Sequence, residues 1–155
     1  MTDEATIKCI MSVMECAFDP HYGEAWNERQ VADALSMPHT RAIVVDRSGG
    51  PLESGDPASC VGFLMSRHAA DEEELLLIAV RPEHRGNNIG RLLIENLFSA
   101  AKTRGVNRVF LEMRRDNPAV TLYLSAGFEP IGQRPDYYRM ANGDRIDATT
   151  FAKSI

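Results

Sequence analysis

Apolar side chains recur at helical spacing near the start of the chain: Ile7, Ile10, Met11, Met14 and Phe18. This period predicts an amphipathic helix over residues 3–17. A loop over residues 19–25 should follow. A second helix is expected over residues 28–36, ended by the approach of Pro38.

Three apolar segments then predict strands, at residues 40–46, 60–66 and 74–80. The third contains a continuous apolar run, which is typical of a strand buried on both faces. Residues 48–56, rich in Gly, Pro and Ser, predict an unusually long hairpin connection between the first two strands.

A long amphipathic helix is predicted over residues 90–104, with Gly105 at the position of a C-terminal cap glycine. A short strand at residues 109–113 comes next. Asn117, with Pro118 after it, then has the form of a helix cap, and Gly127 should close that helix after about nine residues.

The last two strands are expected at residues 128–131, extended through Tyr137 and Tyr138, and at residues 148–152. The element order is therefore ααβββαβαββ. This order predicts an α/β fold in which one mixed sheet carries helices on both faces.

The junction between the third strand and the long helix is a short basic turn. The apolar run breaks at Pro82 and continues through Arg85-Gly86-Asn87-Asn88-Ile89-Gly90-Arg91. A flexible turn that leads into a helix N-terminus presents free backbone N–H groups and the positive end of the helix dipole on one side. We therefore predict a site for phosphate oxygens. The alternative is a tight connection with solvated arginines.

Two well-known phosphate-binding motifs do not account for this turn. No Gly-Lys-Ser/Thr follows it, which excludes a Walker P-loop. It also fits a Rossmann fingerprint poorly, because it is not the first strand-to-helix unit and the flanking strands do not alternate with helices.

Composition narrows the class of protein. A length of 155 residues predicts one domain, residues 1–155, and a net charge of −5 argues against non-specific nucleic-acid binding.

Three scattered cysteines favour reduced thiols in the cytoplasm. An acidic start without a signal-peptide pattern, and no apolar run near ~18 residues, predict no membrane segment. The histidines lack ligand spacing, so no metal site is expected: His21, His39, His68 and His84.

Several short motifs in a fixed order carry a resemblance to a known family. They are Ile78-Ala79-Val80, the basic turn, Phe110-Leu111-Glu112, Asn117, Leu122-Tyr123 and Ala126-Gly127-Phe128. From about residue 24 to the C-terminus the chain resembles the GNAT N-acetyltransferases. Glu24-Ala25-Trp26 and the late Tyr137-Tyr138 make it most similar to the RimI-type ribosomal-protein-alanine N-acetyltransferases.

The resemblance implies acetyl-CoA as the cofactor and assigns residues to it. Backbone groups of Ile78, Ala79 and Val80 would pair with the pantetheine arm. The turn would cradle the pyrophosphate through Arg85, Gly86, Asn87, Asn88, Ile89, Gly90 and Arg91. Asn117 would contact the cofactor as a secondary role beside helix capping.

The sequence departs from the family pattern in three places. Asn88 replaces the middle glycine of the pyrophosphate loop, although asparagine tolerates positive φ better than most residues. The spacing from Asn117 to Tyr123 is one residue shorter than usual, which in a helix rotates one side chain by about 100° relative to the other. The first strand of the family also lacks a counterpart, which leaves six strands where seven are typical.

Two residues are candidates for catalysis. Glu112 lies in an apolar strand, where burial should raise its pKa towards that of a general base, and its alternative is an ion pair with Arg114 or Arg139. Tyr123 aligns with the family's general-acid tyrosine and could protonate a leaving thiolate. Its alternative is packing against Phe128.

Trp26, Tyr137 and Tyr138 are candidates for the acceptor groove, with core or rim packing as the alternative. Residues 71–74 are acidic and are interpreted as a solvated entrance to a strand. They could also help to attract a cationic substrate.

Together these features predict direct acetyl transfer from acetyl-CoA to a primary amine. The expected acceptor is the N-terminal α-amine of a protein, and the resemblance implies a ribosomal protein. A small-molecule amine or a lysine side chain remains an alternative acceptor. A regulatory module that binds acyl-CoA without turnover is an alternative of another class. We expect a monomer or weak dimer that binds neither nucleic acid nor membrane.

Overall fold

The computed structural model describes residues 1–20 and 23–155; His21 and Tyr22, in the loop predicted after the first helix, lie outside the described residues. The helices are α1 (Asp3–Ala17), α2 (Glu28–Leu35), α3 (Ile89–Thr103) and α4 (Val120–Ser125). The strands are β1 (Thr40–Val45), β2 (Gly62–Ala69), β3 (Glu72–Val80), β4 (Arg108–Arg114), β5 (Glu129–Arg139) and β6 (Arg145–Ser154). This order confirms the predicted one.

Within the described residues the strands form one six-stranded sheet in the order β1-β2-β3-β4-β6-β5. β3 and β4 are parallel, and the other neighbours are antiparallel. The parallel pair needs a crossover, which α3 provides. The mixed sheet and its strand number are as predicted.

Helices cover both faces of this sheet. One core joins α1 and α2 to β1, β2 and β3 through residues such as Ile10, Val31 and Phe63. The other joins α3 to the opposite face through Leu93, Leu97 and their neighbours. Burial of these apolar surfaces is the main source of stability, at about 25 cal/mol per Å².

β3 carries two irregularities that shape the centre of the sheet. Met65 pairs with Leu77 and Ser66 with Leu75, so Leu76 is an extra residue that forms a β-bulge. The ladder between β3 and β4 covers three pairs and ends at Glu74 and Phe110. Beyond that point the two strands diverge and leave a gap in the sheet.

The helix predicted after Asn117 is shorter than expected. α4 begins at Val120, and its N-cap residue is Ala119. The Asn117 side chain instead accepts a hydrogen bond from the backbone N–H of Ala119 at 2.9 Å, which forms an Asx turn before the helix. The prediction that Asn117 caps a helix of about nine residues is therefore wrong. Gly127 has φ 96° and closes the helix as predicted.

The acidic segment before β3 is only partly solvated. Glu73 is fully buried and forms an ion pair with Arg104 at the end of α3, and it also accepts a hydrogen bond from Ser66 at 2.7 Å. The interpretation of residues 71–74 as a solvated entrance is wrong at Glu73, because its position on β3 buries the side chain between the sheet and the end of α3.

The described helices and side chains offer neither a membrane span nor a metal-binding cluster. None of the helices in residues 1–20 and 23–155 has the length and apolar character that crossing a bilayer requires. In the same part of the chain, no group of three or more His, Cys, Asp or Glu side chains is arranged to hold a metal ion.

Candidate active site

A cleft of about 1090 Å³ lies where β3 and β4 diverge. The last residues of β3 and β4 line it, together with the turn before α3 and the start of α4. The predicted site residues that line it are Trp26, Ile78, Ala79, Val80, Arg85, Gly86, Asn88, Ile89, Gly90, Arg91, Glu112, Asn117, Tyr123, Tyr137 and Tyr138. Asn87 is not among the residues that line the cleft. The structure therefore brings nearly all of the predicted site to one cleft.

The turn before α3 has a backbone suited to anions. Gly86 has φ 83° and Asn88 has φ 66°, both in the left-handed region. The first N–H to bond within the helix is that of Leu92, which donates to the carbonyl of Asn88 at 3.1 Å. The preceding N–H groups at the helix start have no partner within the helix, and they point out of its positive end. Asn88 thus adopts the conformation that the family's glycine would.

The arginines around this turn have specific partners. Arg85 donates to the carbonyls of Val80 at 3.3 Å and Ala17 at 2.9 Å, which fastens the turn to the end of α1. Arg81 donates to the carbonyl of Cys60 at 2.6 Å and to Ser12 Oγ at 3.0 Å. The alternative of simply solvated arginines is wrong for both. Their side chains brace the turn and leave its backbone to face the cleft.

Glu112 lies on β4 at the cleft, and its side chain is 18% exposed. Its carboxylate pairs with Arg134 at 3.2 Å and accepts a hydrogen bond from the Thr150 hydroxyl at 3.5 Å. Neither Arg114 nor Arg139, the partners considered from the sequence, is the partner of this ion pair. The apolar setting expected for Glu112 is also wrong, because a guanidinium stands beside it.

Tyr123 is 5% exposed, yet its side chain borders the cleft. Its ring packs edge-to-face on Phe128, with ring centroids 5.9 Å apart. Tyr123 therefore both packs against Phe128 and borders the cleft, so the two interpretations do not exclude each other. Burial raises the pKa of Tyr123 above its usual value, and the negative charge of Glu24 raises it further. The phenol therefore keeps its proton at neutral pH, so it can serve as a proton donor and not as a base.

Asn117 and Tyr123 both reach the cleft in spite of their short spacing. Asn117 precedes the helix, so the rotation expected for two residues on one helix does not apply. Its side-chain amide donates to Glu24 Oε2 at 3.5 Å. The Asx turn thus lets Asn117 reach the cleft although its spacing to Tyr123 is one residue shorter than is usual in the family.

Glu24 is a site residue that the sequence did not single out for a role. It lies before α2, lines the cleft, and accepts a hydrogen bond from Arg114 Nε at 3.0 Å. Its only signal in the sequence was its place beside Trp26. No periodicity connects it to Arg114, which lies 90 positions later.

The aromatic pair on β5 borders the same cleft. Tyr137 is 47% exposed and meets Tyr138 edge-to-face, with ring centroids 5.2 Å apart. Burial raises the pKa of Tyr138 to about 12, and the carboxylates of Glu112 and Glu24 contribute to the increase. Trp26 is half-buried against the α1 core and lines the opposite wall.

Comparison with known proteins agrees with this geometry. Residues 10–128 match the Acetyltransferase (GNAT) family. A [Ribosomal protein bS18]-alanine N-acetyltransferase of Haemophilus influenzae is 35% identical over 92 residues, which cover 59% of this chain and 63% of the relative. The match thus spans less than two thirds of that relative's length.

Two further comparisons cover more of the chain. N-alpha-acetyltransferase RimI of Mycobacterium tuberculosis is 36% identical over 122 residues, which cover 78% of this chain and 72% of the relative. The crystal structure of the ribosomal-protein-S18-alanine N-acetyltransferase of Escherichia coli superposes with a TM-score of 0.78 at 25% identity, covering 100% of this chain and 90% of the other. The predicted resemblance to RimI-type enzymes is confirmed, and the chain belongs to the acetyltransferase (GNAT) family.

Proposed function

We propose that this protein transfers an acetyl group from acetyl-CoA to the N-terminal α-amine of a protein. The observation that carries the proposal is the divergence of β3 and β4. It surrounds one cleft with a free strand edge, an anion-binding turn, a carboxylate and a buried phenol. The names of the similar proteins support this class of reaction and acceptor.

The residues present fit coenzyme A. The edge of β3 that faces β4 at Ile78, Ala79 and Val80 suits an extended arm that carries amide groups, because the ladder with β4 ends before these residues and β2 pairs with them only on the other side. The turn that includes Gly86 and Asn88 offers N–H groups to a pyrophosphate at the start of α3. When bound, acetyl-CoA supplies the acetyl group as a thioester.

Glu112 and Tyr123 divide the proton transfers in this proposal. Glu112 accepts the proton of the incoming ammonium, directly or through a water molecule, so that a neutral amine can react. The amine nitrogen bonds to the acetyl carbon as the carbon–sulfur bond breaks. Tyr123 then protonates the departing sulfur; its raised pKa keeps the phenol protonated until that step, although it makes the group a weaker acid than a free phenol. The second proton lost by the nitrogen returns through solvent to the Tyr123 phenolate, and Glu112 releases its proton to solvent. Transfer is direct.

The shape of the acceptor side favours a polypeptide end over a small amine. Every residue of β5 except Tyr138 is exposed, and Tyr137 borders an open rim. An open rim leaves room for the rest of a polypeptide, whereas a small amine fits an enclosed pocket. We propose a ribosomal protein as the acceptor, which would place the reaction in the cytoplasm.

A thiol-release assay tests this function. The assay uses acetyl-CoA with three acceptors: a lysine-free peptide that begins with Ala, the same peptide with a blocked N-terminus, and a blocked peptide that contains lysine. We expect turnover with the first alone. Tyr123→Phe should lower kcat by about 10²-fold while coenzyme A binding is retained.

Other results would point to the alternatives. Turnover of the blocked lysine peptide would move the acceptor to a side-chain amine. Binding of coenzyme A without turnover of any amine, equal in the wild type and in Tyr123→Phe, would show a module that binds acyl-CoA and does not catalyse.

A further inference from the structure

The carboxylate of Glu112 has a partner from outside the cleft. Arg134 Nε lies 3.2 Å from Glu112 Oε1. The arginine side chain is 59% exposed, whereas that of Glu112 is 18% exposed. Arg134 is not among the residues that line the cleft, and most of its side chain is exposed. Its guanidinium therefore contacts Glu112 from the solvent side.

Arg134 ends a regular stretch of β5, in which it pairs with Ala148 of β6, and an irregular stretch follows it. The register of β5 against β6 shifts between Arg134 and Tyr138, and Asp136 within that stretch has φ 54°. The backbone N–H of Asp136 donates to Asp147 Oδ1 at 3.0 Å, and Arg145 donates to its carbonyl at 3.4 Å. These contacts hold a conformation that L-residues rarely adopt, which indicates that the bulge is a built feature.

A second contact limits the freedom of the guanidinium. It stacks over the ring of Tyr137 at 5.2 Å from the centroid, and Tyr137 in turn meets Tyr138 edge-to-face. A cation over an aromatic face is favoured by about 0.5–1 kcal/mol at an exposed site. Arg134 is therefore held between the acceptor-side tyrosines and Glu112.

Among the described residues, the other groups around Glu112 have their own partners or are neutral. Tyr138 on β5 lies within electrostatic range of Glu112, of Glu24 before α2 and of Glu74 on β3. Thr150 on β6 donates its hydroxyl at 3.5 Å. The cation of Arg114 on β4 is hydrogen-bonded to Glu24. The ion pair with Arg134 therefore fixes the direction of the Glu112 carboxylate.

We propose that Arg134 is a positioning residue for acetyl transfer, which holds the Glu112 carboxylate aimed at the acceptor amine. This inference rests on the proposed function, because it assigns Glu112 the role of base. Arg134 touches neither the amine nor the thioester. It acts through Glu112 alone.

The test compares kcat and KM of the wild type, Arg134→Gln and Arg134→Lys. We expect Arg134→Gln to lower kcat by roughly three- to tenfold, since a base that is no longer held in direction is less often in the reactive geometry. Arg134→Lys should restore most of the loss, and KM for acetyl-CoA should stay unchanged, which a general structural defect would not produce.

Arg108→Gln is the matched control. Arg108 lies at the other end of β4 and pairs with Glu72 at the same distance of 3.2 Å, with both side chains exposed. Its loss should leave kcat unchanged. The melting temperatures of all variants should remain close to that of the wild type, because both arginines are exposed.

A double variant separates action through Glu112 from a general effect. Glu112→Gln and Glu112→Gln with Arg134→Gln should turn over at the same residual rate. The proposal is overturned if Arg134→Gln leaves kcat unchanged, or if it slows the Glu112→Gln enzyme by the same factor as the wild type. A wild type without turnover on any amine would instead overturn the proposed function, and this inference with it.

Discussion

Glu24 Oε1 accepts a hydrogen bond from Arg114 Nε at 3.0 Å, across 90 positions of sequence. The guanidinium of Arg114 is buried at the end of β4, and the side chain of Glu24 is 20% exposed. Asn117 donates to the other carboxylate oxygen at 3.5 Å. One carboxylate thus connects the segment before α2 to β4 and to the turn that leads into α4, and these three elements carry Trp26, Glu112 and Tyr123 to the cleft.

Glu24→Ala should lower the free energy of unfolding by about 2–3 kcal/mol. The substitution removes the carboxylate that faces a buried guanidinium, and such losses are costly because the remaining charge stays desolvated. Urea denaturation measures the change. Asp33→Ala is the matched control, because the Arg29–Asp33 pair is highly exposed, and it should change stability by less than about 0.5 kcal/mol. Equal effects of the two variants would contradict a linking role for Glu24.

Asn88→Gly and Asn88→Ala should have opposite consequences. The φ of 66° at Asn88 is open to glycine at no steric cost, whereas alanine is strained there. We expect Asn88→Gly to preserve stability and coenzyme A affinity, and Asn88→Ala to cost about 1 kcal/mol of stability and to weaken coenzyme A binding. Calorimetric titration and thermal melting check both. Asn87, whose φ is not in the left-handed region, provides the control, and equal losses in Asn87→Ala and Asn88→Ala would count against the conformational argument.

The ion pair of Glu73 with Arg104 is buried, and substitutions in it measure what this pair contributes to the stability of the fold. Arg104→Ala should destabilise the fold by about 3 kcal/mol or more, because it leaves a fully buried carboxylate without its guanidinium. Arg108→Ala, which breaks an exposed pair, should cost less than about 1 kcal/mol. Replacing both Glu73 and Arg104 by Met should recover much of the loss, since an apolar pair carries no desolvation penalty. A double variant as unstable as Arg104→Ala would refute this account.

Stability should also fall in alkali because of the cleft tyrosines. Burial raises the pKa of Tyr123 and brings that of Tyr138 to about 12, against a usual value of 10.0. The folded state therefore keeps protons that the unfolded state releases above about pH 10, and the free energy of unfolding decreases as pH rises through that range. Below about pH 10 the contribution is complete. Tyr123→Phe should show a shallower alkaline decrease in urea denaturation, and a slope identical to the wild type would contradict it.

The sequence predicted what depends on neighbouring residues. The apolar periods located α1 and α3, and the turn around Asn88 was recognised because a strand, a small-residue turn and a helix follow one another directly. The cleft residues were found from short motifs whose spacing is local. Asn117 was misread because an Asx turn and a helix cap use the same side chain and differ only in where the helix starts.

The contacts that complete the site are long-range and leave no local pattern. The ion pair of Glu112 with Arg134 joins β4 to β5 across the intervening β6, and the pair of Glu24 with Arg114 depends on how two distant elements pack. The bulge at Leu76 changes which side chains of β3 face each layer, and a continuous apolar run cannot reveal such a change. Register and strand order decide these pairs, and both are settled by tertiary packing.

The short ladder between β3 and β4 divides the sheet into two blocks of three strands, β1–β3 and β4–β6, each held together by its own antiparallel pairing. Under the proposed function, an extended ligand arm laid in this gap would bridge the two blocks, because it would hydrogen-bond to backbone of β3 that the ladder with β4 does not reach. Binding of the arm would then stabilise the folded protein and fasten the block that carries Glu112 to the block that carries the edge of β3.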